Sequence, residues 1–253
     1  MLPFPAETSR KEKLDFINEI KNKLLEKYDK DIEAIGIYGS IALAKEGPYS
    51  DIELHIISRD GANIPNRELI FHPYKLEIST KQKSEWFHQA SMVDDGWAIR
   101  TGSFVHITSL YDPNGIFYKA KEIALSVPDE KFREVIAEFM IWEPYETMGK
   151  IRNAKVSNNL SYLPRAVFDF TWQLAKLIGL LNKQYYTSRS VTLEESIEQP
   201  IKPEGYVELA TKVICGELTD KDELYLLCEN LWFGLNKLLE DLRIEYRSDI
   251  LEL

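Results

Sequence analysis

Two short segments hold the residues best suited to chemistry. Gly39-Ser40 closes an apolar run, and Asp51 and Glu53 follow after ten intervening residues. In a β-strand, residues i and i+2 point to the same face. Asp51 and Glu53 therefore project side by side, and a pair of carboxylates on a rigid strand suits a hard divalent cation such as Mg²⁺. A Gly-Ser turn offers backbone N–H groups and a hydroxyl to a phosphate. The combination points to metal-assisted chemistry on a nucleoside triphosphate.

The elements around these residues follow from apolar spacing. Ser9 and Glu12 form a capping-box pattern, and Leu14, Ile17, Ile20, Leu24 and Leu25 carry a helix to about Lys27. Residues 32–38 read as a buried strand that delivers Gly39-Ser40 to its end. A helix is expected to follow, and its N-terminus favours phosphate. Residues 51–58 alternate, with Ile52, Leu54 and Ile56 on one face and Asp51, Glu53 and His55 on the other. Residues 59–68 read as a loop. Residues 74–79 read as a third strand whose polar face holds Lys75, Glu77 and Ser79, which makes Glu77 the candidate third acid. We expect a helix over 81–95, a strand over 103–111, a turn at Asp112-Pro113-Asn114-Gly115 and a helix over 116–126.

After Pro128 the pattern is helical throughout, over 129–155, 163–184, 192–198, 204–215 and 220–243. The expected fold class is α+β. A catalytic domain over 1–127, a mixed sheet with flanking helices, precedes a C-terminal helical bundle over 128–253. Trp172, Trp232, Phe168 and Phe233 fall at helical spacings and read as core. In the bundle, Glu146 and Lys150 lie one helical turn apart and share a face. Taken alone, this pair reads as a solvated surface ion pair. Tyr145 reads first as a packing residue, and His106 as a hydrogen-bonded structural one. His55 either borders the carboxylates or is an exposed strand-end histidine.

The net charge of −10, from 31 basic and 41 acidic residues, argues against a nucleic-acid partner, which calls for a basic footprint. It suits a cationic substrate. Cys215 and Cys228 form no metal-binding pattern and read as reduced, buried residues on helices of a cytoplasmic protein. The first residues lack the apolar core of a signal peptide, and no apolar run reaches membrane-spanning length, so no membrane partner is expected.

The spacing of Gly39-Ser40 and Asp51-x-Glu53 resembles the nucleotidyltransferase superfamily that includes DNA polymerase beta. Further segments narrow the resemblance: residues 35–40 (IGIYGS), 46–54 (EGPYSDIEL), 146–153 (ETMGKIRN), 161–164 (SYLP), 176–180 (KLIGL) and 229–232 (ENLW). These are similar to the kanamycin nucleotidyltransferases, which are aminoglycoside 4′-O-nucleotidyltransferases, along nearly the whole chain. The resemblance implies that Gly39 and Ser40 contact the nucleotide, that Asp51 and Glu53 hold Mg²⁺ and that Glu77 lies close by. It implies that Glu146 is the general base and that Lys150 binds phosphate, with ATP or another NTP and an aminoglycoside as substrates. It also implies a homodimer. Arg152 points either to the site or to the surface. Two positions depart from the pattern. Leu43 stands where many relatives carry a phosphate-contacting arginine, with Lys45 nearby. Trp142 stands where an acid contacts the aminoglycoside, with Glu143 adjacent.

Overall fold

The computed structural model describes residues 5–248 and 250–251. It divides into two compact units. The first contains the residues up to Met92 together with Thr101–Val127. The second contains Val93–Arg100 and the residues from Pro128 onward.

The first unit is built on a five-stranded mixed sheet. Its strands are β1 (Ile32–Ile37), β2 (Ile52–Ser58), β3 (Arg67–Phe71), β4 (Tyr74–Gln82) and β5 (Thr108–Tyr111), in the order β3-β4-β2-β1-β5. β2 and β4 run parallel, and the other neighbours are antiparallel. Alternation along β1 and β2 sends apolar side chains to both faces. On one face Ile35, Ile37, Ile52, Leu54, Ile56, Leu76 and Ile78 pack with Ile17 and Ile20 of helix α1 (Arg10–Tyr28). On the other, Ala34 and Ile57 pack with Trp86, Ala90, Phe104, Phe117 and Ala120. Those last five residues come from α3 (Lys83–Ser91), α4 (Trp97–Val105) and α5 (Ile116–Leu125); the short α2 (Gly39–Ala42) follows β1. Truncating a buried aromatic such as Trp86 to alanine costs about 3–5 kcal/mol in comparable cores.

The start of α1 is fixed locally. Ser9 accepts from the Glu12 backbone N–H, and Glu12 Oε2 accepts from Ser9 N at 2.8 Å, completing the expected capping box. Asp112 likewise receives the first N–H groups of α5, from Ile116 at 2.8 Å and Phe117 at 3.0 Å.

In the second unit, α6 (Asp129–Met140), a π-helical turn (Ile141–Tyr145) and α7 (Glu146–Val156) run on without a break. Pro144 lies inside the wide turn. A proline has no N–H to give the helical ladder, and π turns occur often where a helix carries function. The central helix α8 (Leu163–Asn182) is buried along most of its length. Around it stand α9 (Thr192–Ile197), α10 (Tyr206–Cys215) and α11 (Lys221–Asp241). Among the described residues no helix is long and apolar enough to cross a membrane.

Several local expectations need correction. Residues 103–105 end helix α4, because Phe104 turns inward to pack at 4.5 Å from the Trp86 ring, and only Thr108–Tyr111 forms a strand. Arg67 and Glu68 open strand β3 rather than closing a loop. All five β3 residues are exposed, so burial leaves no alternating signal there. Lys81 and Gln82 extend β4, and the following helix ends at Ser91. Phe168 and Phe233 are exposed at 48% and 71%, on the outer faces of α8 and α11 rather than in the core. Cys228 is buried as expected, but Cys215 is exposed at the end of α10. His55 is buried, covered by Tyr38 and Trp86.

Candidate active site

The candidate site of the first unit lies on the sheet face that α3 and α5 cover. β1 ends at Ile37, and Tyr38 leads into the turn of Gly39-Ser40 that starts α2. Gly39 has φ +69, a conformation that disfavours side chains. A Cβ on Gly39 would also collide with Glu53 Oε2. The positive φ favours glycine here, and any side chain would in addition displace the Glu53 carboxylate. The Tyr38 backbone N–H donates to the Glu53 carbonyl at 3.2 Å, which ties the turn to β2.

Asp51 immediately precedes β2, and Glu53 is its second residue. Glu53 and Glu77 are direct partners in the parallel β2–β4 register, so Glu77 joins the same face. Lys75 Nζ meets Asp51 Oδ2 at 3.0 Å and Glu68 Oε1 at 3.3 Å. The Tyr38 hydroxyl donates to Glu77 Oε1 at 3.0 Å. Tyr38 stacks on His55, with ring centroids 3.9 Å apart. Neither ring nitrogen of His55 makes a side-chain hydrogen bond of good geometry, and the backbone at Ser79 is its polar neighbour. Burial, aided by the Lys81 charge, lowers the His55 pKa to about 3, so the imidazole is neutral packing beneath Tyr38.

The electrostatics of this set are unbalanced. Burial comes first, and the charges of Asp51 and Glu77 add to it, raising the Glu53 pKa to about 7 against the opposing pull of Lys75. Burial, and then the charges of Glu53, Glu77 and Asp51, push the Tyr38 hydroxyl well above its ordinary value, so it remains a donor. Among the described residues, no group of three or more His, Cys, Asp or Glu side chains is drawn together closely enough to hold a metal ion. The donor set nevertheless fits a divalent cation: carboxylate oxygens suit Mg²⁺, and added positive charge would offset the burial and the repulsion that raise the Glu53 pKa. A cavity of about 410 Å³ opens beside Asp51 and Lys75, with Tyr49 and Tyr74 on its walls.

The remaining expected residues belong to the second unit. Glu146 begins α7 and pairs with Lys150 at 2.7 Å. Both are more than half exposed, and the hydrogen bond from Lys150 to Glu146 raises the Lys150 pKa. Glu143, in the π-helical turn, accepts from Gln173 Nε2 at 2.8 Å. It lines a cavity of about 370 Å³ with Asp94, Asp95, Glu138 and the exposed Trp142. Arg152 is committed elsewhere, in a two-pronged pairing with Glu229 at 2.9 and 2.8 Å. Sequence reasoning passed over Tyr38 and the Asp51–Lys75 pair as parts of the site. The shared parity of Lys75 and Glu77 was the available signal for the second.

Comparison with known proteins places this arrangement. Residues 114–245 match the KNTase C-terminal domain family. Over 237 residues, covering 93% of both chains, the sequence is 33% identical to "Aminoglycoside nucleotidyltransferase (4′)" from a Bacillus species. It is 32% identical, with the same coverage, to the protein of that name from Staphylococcus aureus. A solved nucleotidyltransferase-like protein from Exiguobacterium sibiricum shares the fold, with TM-score 0.58 at 14% identity, covering 91% of this chain and 81% of that one. The two aminoglycoside nucleotidyltransferases, alike to this chain over 93% of its length, define it as a nucleotidyltransferase. The chain belongs to the kanamycin nucleotidyltransferase family.

Proposed function

We propose that this enzyme transfers AMP from ATP to the 4′-hydroxyl of an aminoglycoside, releasing pyrophosphate and inactivating the antibiotic. The observation that carries this reading is the likeness to two enzymes named for that position, sustained over 93% of the chain. The acidic cavity around Glu143 supports a polycationic acceptor.

In this proposal Gly39 and Ser40 receive the triphosphate, and Asp51 and Glu53 hold Mg²⁺ with Glu77 behind them. The bound ion supplies charge neutralisation to the triphosphate. Glu146 takes the proton from the acceptor hydroxyl as that oxygen attacks the α-phosphorus, and pyrophosphate leaves. Lys150 holds phosphate beside Glu146, one helical turn along α7. We place the enzyme in the cytoplasm, where ATP is available, as a homodimer; light scattering on the purified protein tests the dimer.

The decisive experiment incubates the protein with Mg²⁺, ATP and kanamycin or tobramycin. It follows pyrophosphate release and locates the adenylyl group by NMR. Transfer to the 4′-oxygen is the expected result. Absence of product across a panel of aminoglycosides would remove the substrate assignment, and product with a different hydroxylated acceptor would replace it.

A further inference from the structure

The residues that join the phosphate turn to the carboxylates, 43–50, form neither helix nor strand. They are held instead by the first turn of α1. Lys13 is fully buried, at 0% exposure. Its ammonium donates to the carbonyls of Thr8 at 2.9 Å, Gly47 at 3.1 Å and Pro48 at 3.2 Å. An ammonium has three N–H bonds, and all three are used on main-chain oxygens. Thr8 grips the same loop, donating to the Pro48 carbonyl from its backbone N at 2.9 Å and from Oγ1 at 3.1 Å. Arg10 secures the other end, reaching Glu46 Oε1 at 2.5 Å and the Ile41 carbonyl at 3.4 Å.

This is a costly way to hold a surface loop. A buried ammonium gives up its hydration, and only full satisfaction by fixed acceptors offsets that loss. Water would serve the same carbonyls if the path of the loop were unimportant. The loop's path bears directly on the site. Lys45 N donates back to the Ser40 carbonyl at 3.0 Å, and a tight turn from Gly47 to Ser50 delivers the chain to Asp51. The span between Ser40 and Asp51 is therefore fastened at both ends by α1.

We propose that Lys13, assisted by Arg10, is a positioning residue for the phosphate and metal site. It sets the placement of Asp51 relative to Gly39-Ser40 without touching substrate. This inference rests on the nucleotidyl-transfer reading above.

The test compares wild type with Lys13→Met, Lys13→Arg and Arg10→Met, each well below its own Tm. Mn²⁺ is the probe, its binding followed by electron paramagnetic resonance with a non-hydrolysable ATP analogue present. Steady-state kinetics are measured alongside. Supporting groups of this kind alter metal affinity by roughly ten- to a hundredfold. Lys13→Met is expected to weaken Mn²⁺ binding in that range and to lower kcat. The KM for the aminoglycoside should not change, and Lys13→Arg should restore most of the affinity. If Lys13→Met does not fold, Arg10→Met, at a side chain 46% exposed, must weaken Mn²⁺ binding in the same direction. Wild-type Mn²⁺ affinity in every folded variant overturns the proposal. A wild type that binds Mn²⁺ and nucleotide but adenylates no aminoglycoside defeats the substrate assignment alone, and the positioning role still stands or falls on the Mn²⁺ shifts. A wild type that binds no Mn²⁺ defeats both.

Discussion

Glu53 on β2 and Glu77 on β4 stand directly opposite each other in a parallel register, on the face that also carries Asp51. Parallel pairing places the two side chains on one side of the sheet, so their charges repel across a half-buried surface. That repulsion adds to burial, the larger cause, in raising the Glu53 pKa to about 7 from an ordinary 4.5.

The first prediction concerns pH. Between 4.5 and about 7 the folded chain retains a Glu53 proton that the unfolded chain has released. The unfolded state then binds fewer protons, so stability falls as pH rises through that window and levels off above it. Thermal denaturation of the metal-free protein should show this slope. Glu77→Gln, which removes one repelling charge, should flatten it. Mg²⁺ with nucleotide should stabilise increasingly as pH rises through about 7, because binding requires ionised Glu53. Glu53→Gln should abolish the slope; a slope that persists in Glu53→Gln would exclude Glu53 as the titrating group.

Gly39 should tolerate a side chain poorly. Gly39→Ala meets both the positive φ and the Glu53 carboxylate, whereas Gly47→Ala meets nothing within 4 Å. Backbone strain at such a position alone costs about 1–2 kcal/mol. Chemical denaturation should show at least that loss for Gly39→Ala and close to none for Gly47→Ala. Turnover should fall sharply in the first only. An active Gly39→Ala enzyme would mean that the turn and Glu53 move apart without penalty.

Glu146 is an exposed residue in the structure, so its replacement separates chemistry from folding cleanly. Glu146→Gln should leave Tm unchanged and reduce kcat by about 10²–10⁴-fold, the usual contribution of a general base. Retained kcat would return Glu146 to the role of a surface partner for Lys150.

Lys45 is exposed and has no ion-pair partner among the described residues. It lies two residues beyond Leu43, the position for which the family resemblance implies a phosphate-contacting arginine, and its backbone N–H donates to the Ser40 carbonyl. If Lys45 supplies that cation, Lys45→Ala should raise the KM for ATP by about tenfold, the scale of one charge-assisted hydrogen bond. The KM for the aminoglycoside should not move. An unchanged KM for ATP would show that this chain dispenses with the contact.

Local patterns were legible in the chain because their physics is local. The capping box of Ser9 and Glu12, the Asp112 turn before α5 and the two-residue spacing of Asp51 and Glu53 are settled within a few residues. The helical second half also followed from spacing, although its π-helical turn around Pro144 did not. Failures came where packing overrode pattern. Phe104 joined a helix to reach Trp86, β3 paired through backbone with every side chain exposed, and Phe168 and Phe233 turned outward.

By itself, then, the sequence determined which groups are present and which share a strand face: a glycine-serine turn, two carboxylates of one parity and a family-wide pattern in the helices. The tertiary structure decided their company. A strand register between segments separated by the β3 excursion depends on which apolar set is buried, and a slip of one residue would turn Glu77 away from Glu53. The same long-range packing brings Tyr38 to Glu77 and Lys75 to Asp51, and it buries Lys13 against a loop more than thirty residues away in sequence. No local rule links such distant residues; they meet because the strand register and the packing of α1 bring them together, and a buried ammonium such as that of Lys13 persists only where fixed acceptors satisfy it.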